Sequence, residues 1–219
     1  MNLDPLVQLE PLDVERLDDA GMAAAWKAAE ALISSDLQQR RQGMEQLLAL
    51  QVAPVSPLVA YLLYTRLVEP DLDLRRRVVQ ALAGILEAGP SESPARQNLA
   101  AHLGQMRTRQ IYALLQLVTY DADLESPVVL LLKTCSYAGS QLAAILADRQ
   151  MPVGIRTQAA RMAGKIGYMD AVQSLERVQT RLESRLPPQQ NLALLEIDVD
   201  DELNLLPVVR EALLTLRAP

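Results

Sequence analysis

The chain of 219 residues contains no phenylalanine, and aromatic residues make up only 3% of it. A wide aromatic core is therefore excluded. A single cysteine, Cys135, rules out an intramolecular disulfide and any zinc site built from several thiolates. A single histidine, His102, rules out a His-rich metal centre and leaves little for His-based acid–base chemistry. Long apolar runs are missing too: the longest, Val128 to Leu132, is far too short to span a bilayer. Met1 to Glu10 carries Asp4 and Glu10 with no basic residue, which is not the pattern of a signal peptide. The expectation is a cytoplasmic protein without a membrane segment. Strand-like alternation is confined to Leu195–Val199, which is short and acidic.

What is present points to helix. Hydrophobic residues reach 50%, enough for a folded core, and Leu and Ala dominate among them. Both lose little side-chain freedom in a helix. Ser56-Pro57, Ser93-Pro94 and Ser126-Pro127 each set a capping hydroxyl before a proline suited to the first helical position. Pro152 and Pro188 read as helix openings of the same kind. The pattern predicts helices near Asp18–Ser34, Asp36–Gln51, Pro57–Val68, Leu72–Glu87, Pro94–Gln105 and Thr108–Tyr120. Further helices are predicted near Pro127–Thr134, Gly139–Arg149, Pro152–Gly167, Asp170–Glu183, Pro188–Leu195 and Asp201–Arg217. Their connections are short, which favours antiparallel neighbours. Nothing resembles an interdomain linker, so residues 1–219 read as one domain with an irregular lead-in over residues 1–16.

Two segments repeat. Leu74-Arg75 leads through Val78-Val79 and Leu82 to Ile85, and Ile155-Arg156 leads through Ala159-Ala160 and Ala163 to Ile166. The apolar positions fall at i, i+4, i+7, i+8 and i+11, the stripe of a helix buried along one side. Weaker copies surround Arg40, where Gly43 replaces an apolar residue, and Arg210. Arg40 and Arg75 lie 35 residues apart (75 − 40), and Arg75 and Arg156 lie 81 apart (156 − 75). The latter is about two repeats of roughly 40 residues, the length of the HEAT and armadillo class. Arg107 or Arg109 would then mark the middle copy.

The order apolar-Arg, paired Ala, then Gly-x-Ile-Gly resembles the HEAT-like repeats named after phycobilisome lyases. Ile155-Arg156 through Ala159-Ala160 to Gly164-Lys165-Ile166-Gly167 follows that order closely, and Asp170-Ala171-Val172 with Leu175 matches the opening of the next helix. The resemblance is specific over Pro152–Leu175, fair over Asp71–Leu86 and weak elsewhere. It implies an all-α fold, an α-solenoid of about five antiparallel helix pairs, working as a non-catalytic protein-binding scaffold with no cofactor. It also places a structural arginine at Arg40, Arg75, Arg156 and Arg210. Enzymes exist on the same architecture, among them bilin lyases and an alkylpurine DNA glycosylase family. An enzyme or nucleic-acid binder of that kind is the alternative reading, and a homo-oligomeric assembly module is another.

The formal net charge of −6 and the pI of about 4.9 argue against a nucleic-acid binder. The arginines beside the in-register set, Arg41, Arg76, Arg77, Arg107 and Arg109, are candidates for contact with an acidic partner or a phosphate, because guanidinium binds both bidentately. Tyr61 and Tyr64, three residues apart on one helix face, are candidates because tyrosine is enriched at binding hot spots. Trp26, flanked by alanines, reads as a packing anchor. Cys135 reads as an inert packed thiol, His102 as a solvent-edge or satisfied histidine, and Gly84, Gly164 and Gly167 as helix-packing or helix-end residues. The acidic run Glu196, Asp198, Asp200, Asp201 and Glu202 lacks the glycine and distal glutamate of a calcium loop and reads as the acidic start of a terminal helix. That helix, with Leu203, Leu205, Leu206, Val208, Val209, Leu213 and Leu216, is apolar over a wide arc. It calls for a cover, either Pro188–Leu195 or a second protomer.

Overall fold

The computed structural model describes residues 19–88, 93–185 and 201–218, and over these the chain is all-helical. Eleven α-helices follow one another: α1 Asp19–Leu32, α2 Leu37–Ala49, α3 Pro57–Thr65, α4 Leu72–Ala88, α5 Pro94–Leu103, α6 Thr108–Tyr120, α7 Glu125–Thr134, α8 Ala138–Ala147, α9 Val153–Ile166, α10 Val172–Glu183 and α11 Leu205–Arg217. One-turn 3₁₀ segments precede α7, α10 and α11, and one over Arg66–Val68 ends α3. The expected helix at Pro188–Leu195 and the acidic alternation at Leu195–Val199 lie outside the described residues. No single helix among those described is long and apolar enough to cross a membrane.

The local chemistry accounts for the helix starts. Asp36 accepts from the backbone N–H of Gln39 at 2.8 Å, and Asp71 from that of Leu74 at 2.9 Å, each satisfying a donor left free in a first turn. Ser56 is placed to cap α3 ahead of Pro57. Ser93 precedes Pro94 as expected, but its hydroxyl donates instead to the carbonyl of Pro54 at 3.2 Å, tying α5 to the segment before α3. Ser126-Pro127 is not a boundary. A 3₁₀ turn over Ala122–Leu124 runs into α7 at Glu125, and Pro127 sits in the first turn, where its missing N–H costs nothing.

Helix neighbours follow chain order. α1 packs on α2, α3 on α4 and on α5, α8 on α9, and α10 on α11. Contacts also run from α2 to α4, from α4 to α7, from α7 to α9 and from α9 to α11. On the other side they run from α6 to α8 and from α8 to α10. One apolar cluster extends from Ala25 in α1 to Leu216 in α11, filled mainly by Leu, Ala and Val. With small side chains, helices approach until backbones meet. A Cβ added at Gly43 would lie 2.6 Å from the carbonyl oxygen of Ala28 in α1, which explains the glycine in that copy of the repeat. A Cβ at Gly164 would lie 2.9 Å from the Cα of Ala212 in α11. Gly167 ends α9 in the left-handed conformation, φ 80°, as glycine does after a helix.

Two expectations need correction. Trp26 is not a packing anchor: it is 59% exposed and its indole N–H donates to Glu30 one turn along at 2.8 Å. Gly84 is not a packing glycine, because a Cβ there would meet nothing within 4 Å. The terminal helix is covered by its own chain. Leu205, Leu206, Val209, Leu213 and Leu216 are buried where α11 meets α9 and α10, leaving Leu214 exposed at 72%.

Candidate functional site

Two groups of side chains stand out, and the first explains most of the arginines. Arg40 donates to the carbonyls of Ser34 and Ser35, in the turn behind it, and forward to Glu69 Oε1 at 2.8 Å. Arg75 donates from Nε to the carbonyl of Glu69 at 2.6 Å, and forward to the Ala113 carbonyl and the Gln116 side chain of α6. Arg156 donates to the carbonyl of Leu146 at the end of α8, and its Nη2 lies 2.7 Å from Glu202 ahead of α11. Each is the fourth residue of its helix, and each binds the connection behind it and a later segment ahead. Arg75 and Arg156 are buried, and burial draws the Arg75 pKa below its ordinary value while the Glu69 charge opposes the shift. Arg210 is exposed and reaches only backward, to Glu183 at 2.7 Å.

The arginines next to them form a second row. Arg41 pairs with Asp71 at 2.9 Å and Arg76 with Asp121 at 3.6 Å, each acid lying before a later helix and capping a turn there. Arg77 pairs with Glu45 of α2 at 2.9 Å. These candidates for partner binding are therefore already matched with acids of the same chain.

Arg107 and Arg109 do not continue either row. They sit exposed at the start of α6, where neither has a carboxylate partner among the described residues; Arg107 lies over the ring of Tyr137, 5.1 Å from its centre. The helix between α4 and α9 in the line of contacts is α7, whose fourth residue is the buried Val128. Val128 thus holds in α7 the place that Arg40, Arg75 and Arg156 hold in their helices.

Aromatic rings make the second group. Tyr61 and Tyr64 of α3 meet His102 of α5 with ring centres 4.8 and 5.3 Å away, and each other at 6.5 Å. Tyr61 is 41% exposed, and Tyr64 and His102 are half-buried. Burial raises the Tyr64 hydroxyl pKa, with Cys135 and Tyr61 adding to the rise. The Cys135 thiol is buried behind this group, with the carbonyls of Gly104 and Met106 at 3.9 and 3.8 Å. His102 thus packs on two tyrosine faces, an arrangement that one histidine in an apolar helix did not signal.

Glu202 was legible only as part of an acidic run. It collects Arg156, Arg181 and Arg185 on its two oxygens. Glu196, Asp198 and Asp200 lie outside the described residues. Among the described residues no group of three His, Cys, Asp or Glu side chains converges as metal ligands would. The chain matches no protein-family model, no curated protein and no solved structure.

Proposed function

We propose that the chain is a non-catalytic protein-binding scaffold, a cytoplasmic α-solenoid of five HEAT-like helix pairs. The pairs in this reading are α1–α2, α3–α4, α6–α7, α8–α9 and α10–α11, with α5 inserted against α3. The repeated arginine clasp supports it: Arg40 and Arg156 each reach an acid of a later pair, and Arg75 reaches the Ala113 carbonyl and the Gln116 side chain of a later helix. A helix pair of this kind cannot bury its own apolar face, and stacking supplies both the core and a long surface for recognition.

The observation that carries the binding role is the exposed aromatic edge around Tyr61, Tyr64 and His102. Tyrosine supplies contact area at low entropic cost, and it is concentrated at binding hot spots. The test is capture of a macromolecule by the intact chain. Retention of a defined protein in stoichiometric amount supports a scaffold; turnover of a small molecule with no retained protein overturns it.

Self-assembly is a second reading with its own observation. Met22 and Trp26 on α1 and Ile33 just after it are exposed, and Leu214 is exposed on α11, so both ends carry apolar side chains. Contact of unlike ends would give a head-to-tail array. Sedimentation over a hundredfold concentration range separates the two, because an array grows with concentration and a monomeric scaffold does not.

A further inference from the structure

Charge is distributed unevenly over this acidic chain. Residues 93–120 contain no Asp or Glu but hold Arg96, Arg107 and Arg109, and residues 126–147 contain no acid and one base, Lys133. Residues 52–68, which include α3, also lack acids. With a net charge of −6 for the whole, such stretches stand out, and residues 149–169 are another, with Arg149, Arg156, Arg161 and Lys165.

The fold gathers the first three of these segments along one edge. Cys135, after α7, has its sulfur against the carbonyls of Gly104 and Met106, between α5 and α6. Thr108 at the start of α6 bonds Gln141 of α8, and Arg107 covers Tyr137. The Tyr168 hydroxyl donates to the carbonyl of Lys133 at 2.9 Å. The aromatic group of Tyr61, Tyr64 and His102 joins this edge through the end of α5. Asp170, against Gly139, lies at its border.

Pairing divides the cations of this chain: Arg149, Arg161 and Arg177 are exposed with no ion pair among the described residues, and the same holds along this edge. Arg40, Arg41, Arg76 and Arg77 each have an acid of this chain as partner. Arg107, Arg109 and Lys133 are exposed and have no ion pair among the described residues. Exposed cations beside half-exposed tyrosines offer both charge and apolar contact, and none of the three is ion-paired to a carboxylate among the described residues.

We infer that the edge formed by the end of α5, the start of α6 and the α7–α8 connection binds an acidic segment of another protein. Carboxylates of that segment meet Arg107, Arg109 and Lys133, and an aliphatic or aromatic side chain beside them packs on Tyr61, His102 or Tyr137. Guanidinium pairs with carboxylate in two parallel hydrogen bonds, which fixes orientation as well as charge. A nucleic acid fits less well. Few phosphates could be neutralised here, and the acidic remainder of the chain repels a long polyanion. The inference rests on the scaffold reading and adds to it the surface and the chemistry of the partner.

The test is selection of twelve-residue peptides from a random displayed library on the immobilised intact chain. Binding of the enriched peptides is then measured by fluorescence anisotropy at low and high salt. Enriched peptides rich in Asp and Glu with at least one large apolar residue are expected. Reversing charge in Arg107→Glu/Arg109→Glu/Lys133→Glu should weaken them at least tenfold, and raising salt should weaken them too. Arg161→Glu, the same kind of change at an exposed arginine of α9, should leave affinity within twofold. Neutral or basic peptides, no enrichment, an equal effect of Arg161→Glu, or tighter binding of a single-stranded oligonucleotide than of the peptides would each overturn the inference. A protein captured by the intact chain and unaffected by the triple change would sink this surface while leaving the scaffold reading in place.

Discussion

Arg156 Nη2 lies 2.7 Å from Glu202 Oε1, with the arginine side chain only 2% exposed. Burial alone would raise the Glu202 pKa, but the adjoining Arg156 guanidinium and the charges of Arg181 and Arg185 outweigh it and hold the carboxyl below its ordinary 4.5. A group depressed in the folded state binds fewer protons there than when unfolded. Its stabilisation is therefore complete above the unfolded value and fades as pH falls through the folded one. Asp71 moves in the same direction: burial opposes the shift, while the Leu74 N–H and Arg41 drive it. Melting temperature should fall as pH drops from about 5 to 3, and Glu202→Gln should flatten that decline. An unchanged acid limb in Glu202→Gln would show that this carboxylate carries none of it.

Gly164 and Gly84 should respond to alanine with opposite signs. The Gly164 Cβ would press on the Ala212 backbone, so Gly164→Ala should destabilise by about 1–3 kcal/mol, as overpacking does. Gly84 sits in α4 with open space around it, so Gly84→Ala should stabilise by roughly 0.5–1 kcal/mol through helix propensity alone. Urea unfolding of the two variants measures both. Stabilisation by both would mean that α9 and α11 do not approach as described, and loss of stability in both would mean that the space around Gly84 is not open.

Trp26 is the chain's one tryptophan, so its fluorescence reports on α1 alone. Emission should resemble that of tryptophan in water and be readily quenched by acrylamide. Trp26→Ala should change stability by no more than about 0.5 kcal/mol, as for ordinary surface sites. A blue-shifted, protected signal would place a cover over Met22, Trp26 and Ile33.

These positions show where sequence reasoning reaches and where it stops. The apolar stripes of α4 and α9 were legible because burial along one side imposes a helical period. The structural role of Arg75 and Arg156 came with the repeat, since an invariant place in a stripe has a fixed surrounding. Their acceptors were not legible. Glu69 and Glu202 lie in connections, where no periodicity marks them, and an acid there reads the same whether solvated or clasped. The likeness of α7 to α4 and α9 was not legible because Val128 stands where they carry arginine, although α7 packs on both. Trp26 misled because flanking alanines mark a helix without saying which of its faces is buried. The cation-bearing edge was only half visible. Arg107, Arg109, Tyr61 and Tyr64 could be named singly, but pairing within the chain separates them from Arg41, Arg76 and Arg77, and only coordinates show pairing.

The central claim is that an arginine of one helix pair holds an acid of a later one and so fastens the chain along its length. Arg40 and Glu69 are its plainest case, 2.8 Å apart with the Glu69 side chain fully buried. A double-mutant cycle with Arg40→Met, Glu69→Gln and the pair together, followed by chemical unfolding, measures their coupling directly. The account predicts about 2 kcal/mol or more, as for mostly buried pairs in one network. Additive single changes, with coupling under about 0.5 kcal/mol, would contradict it.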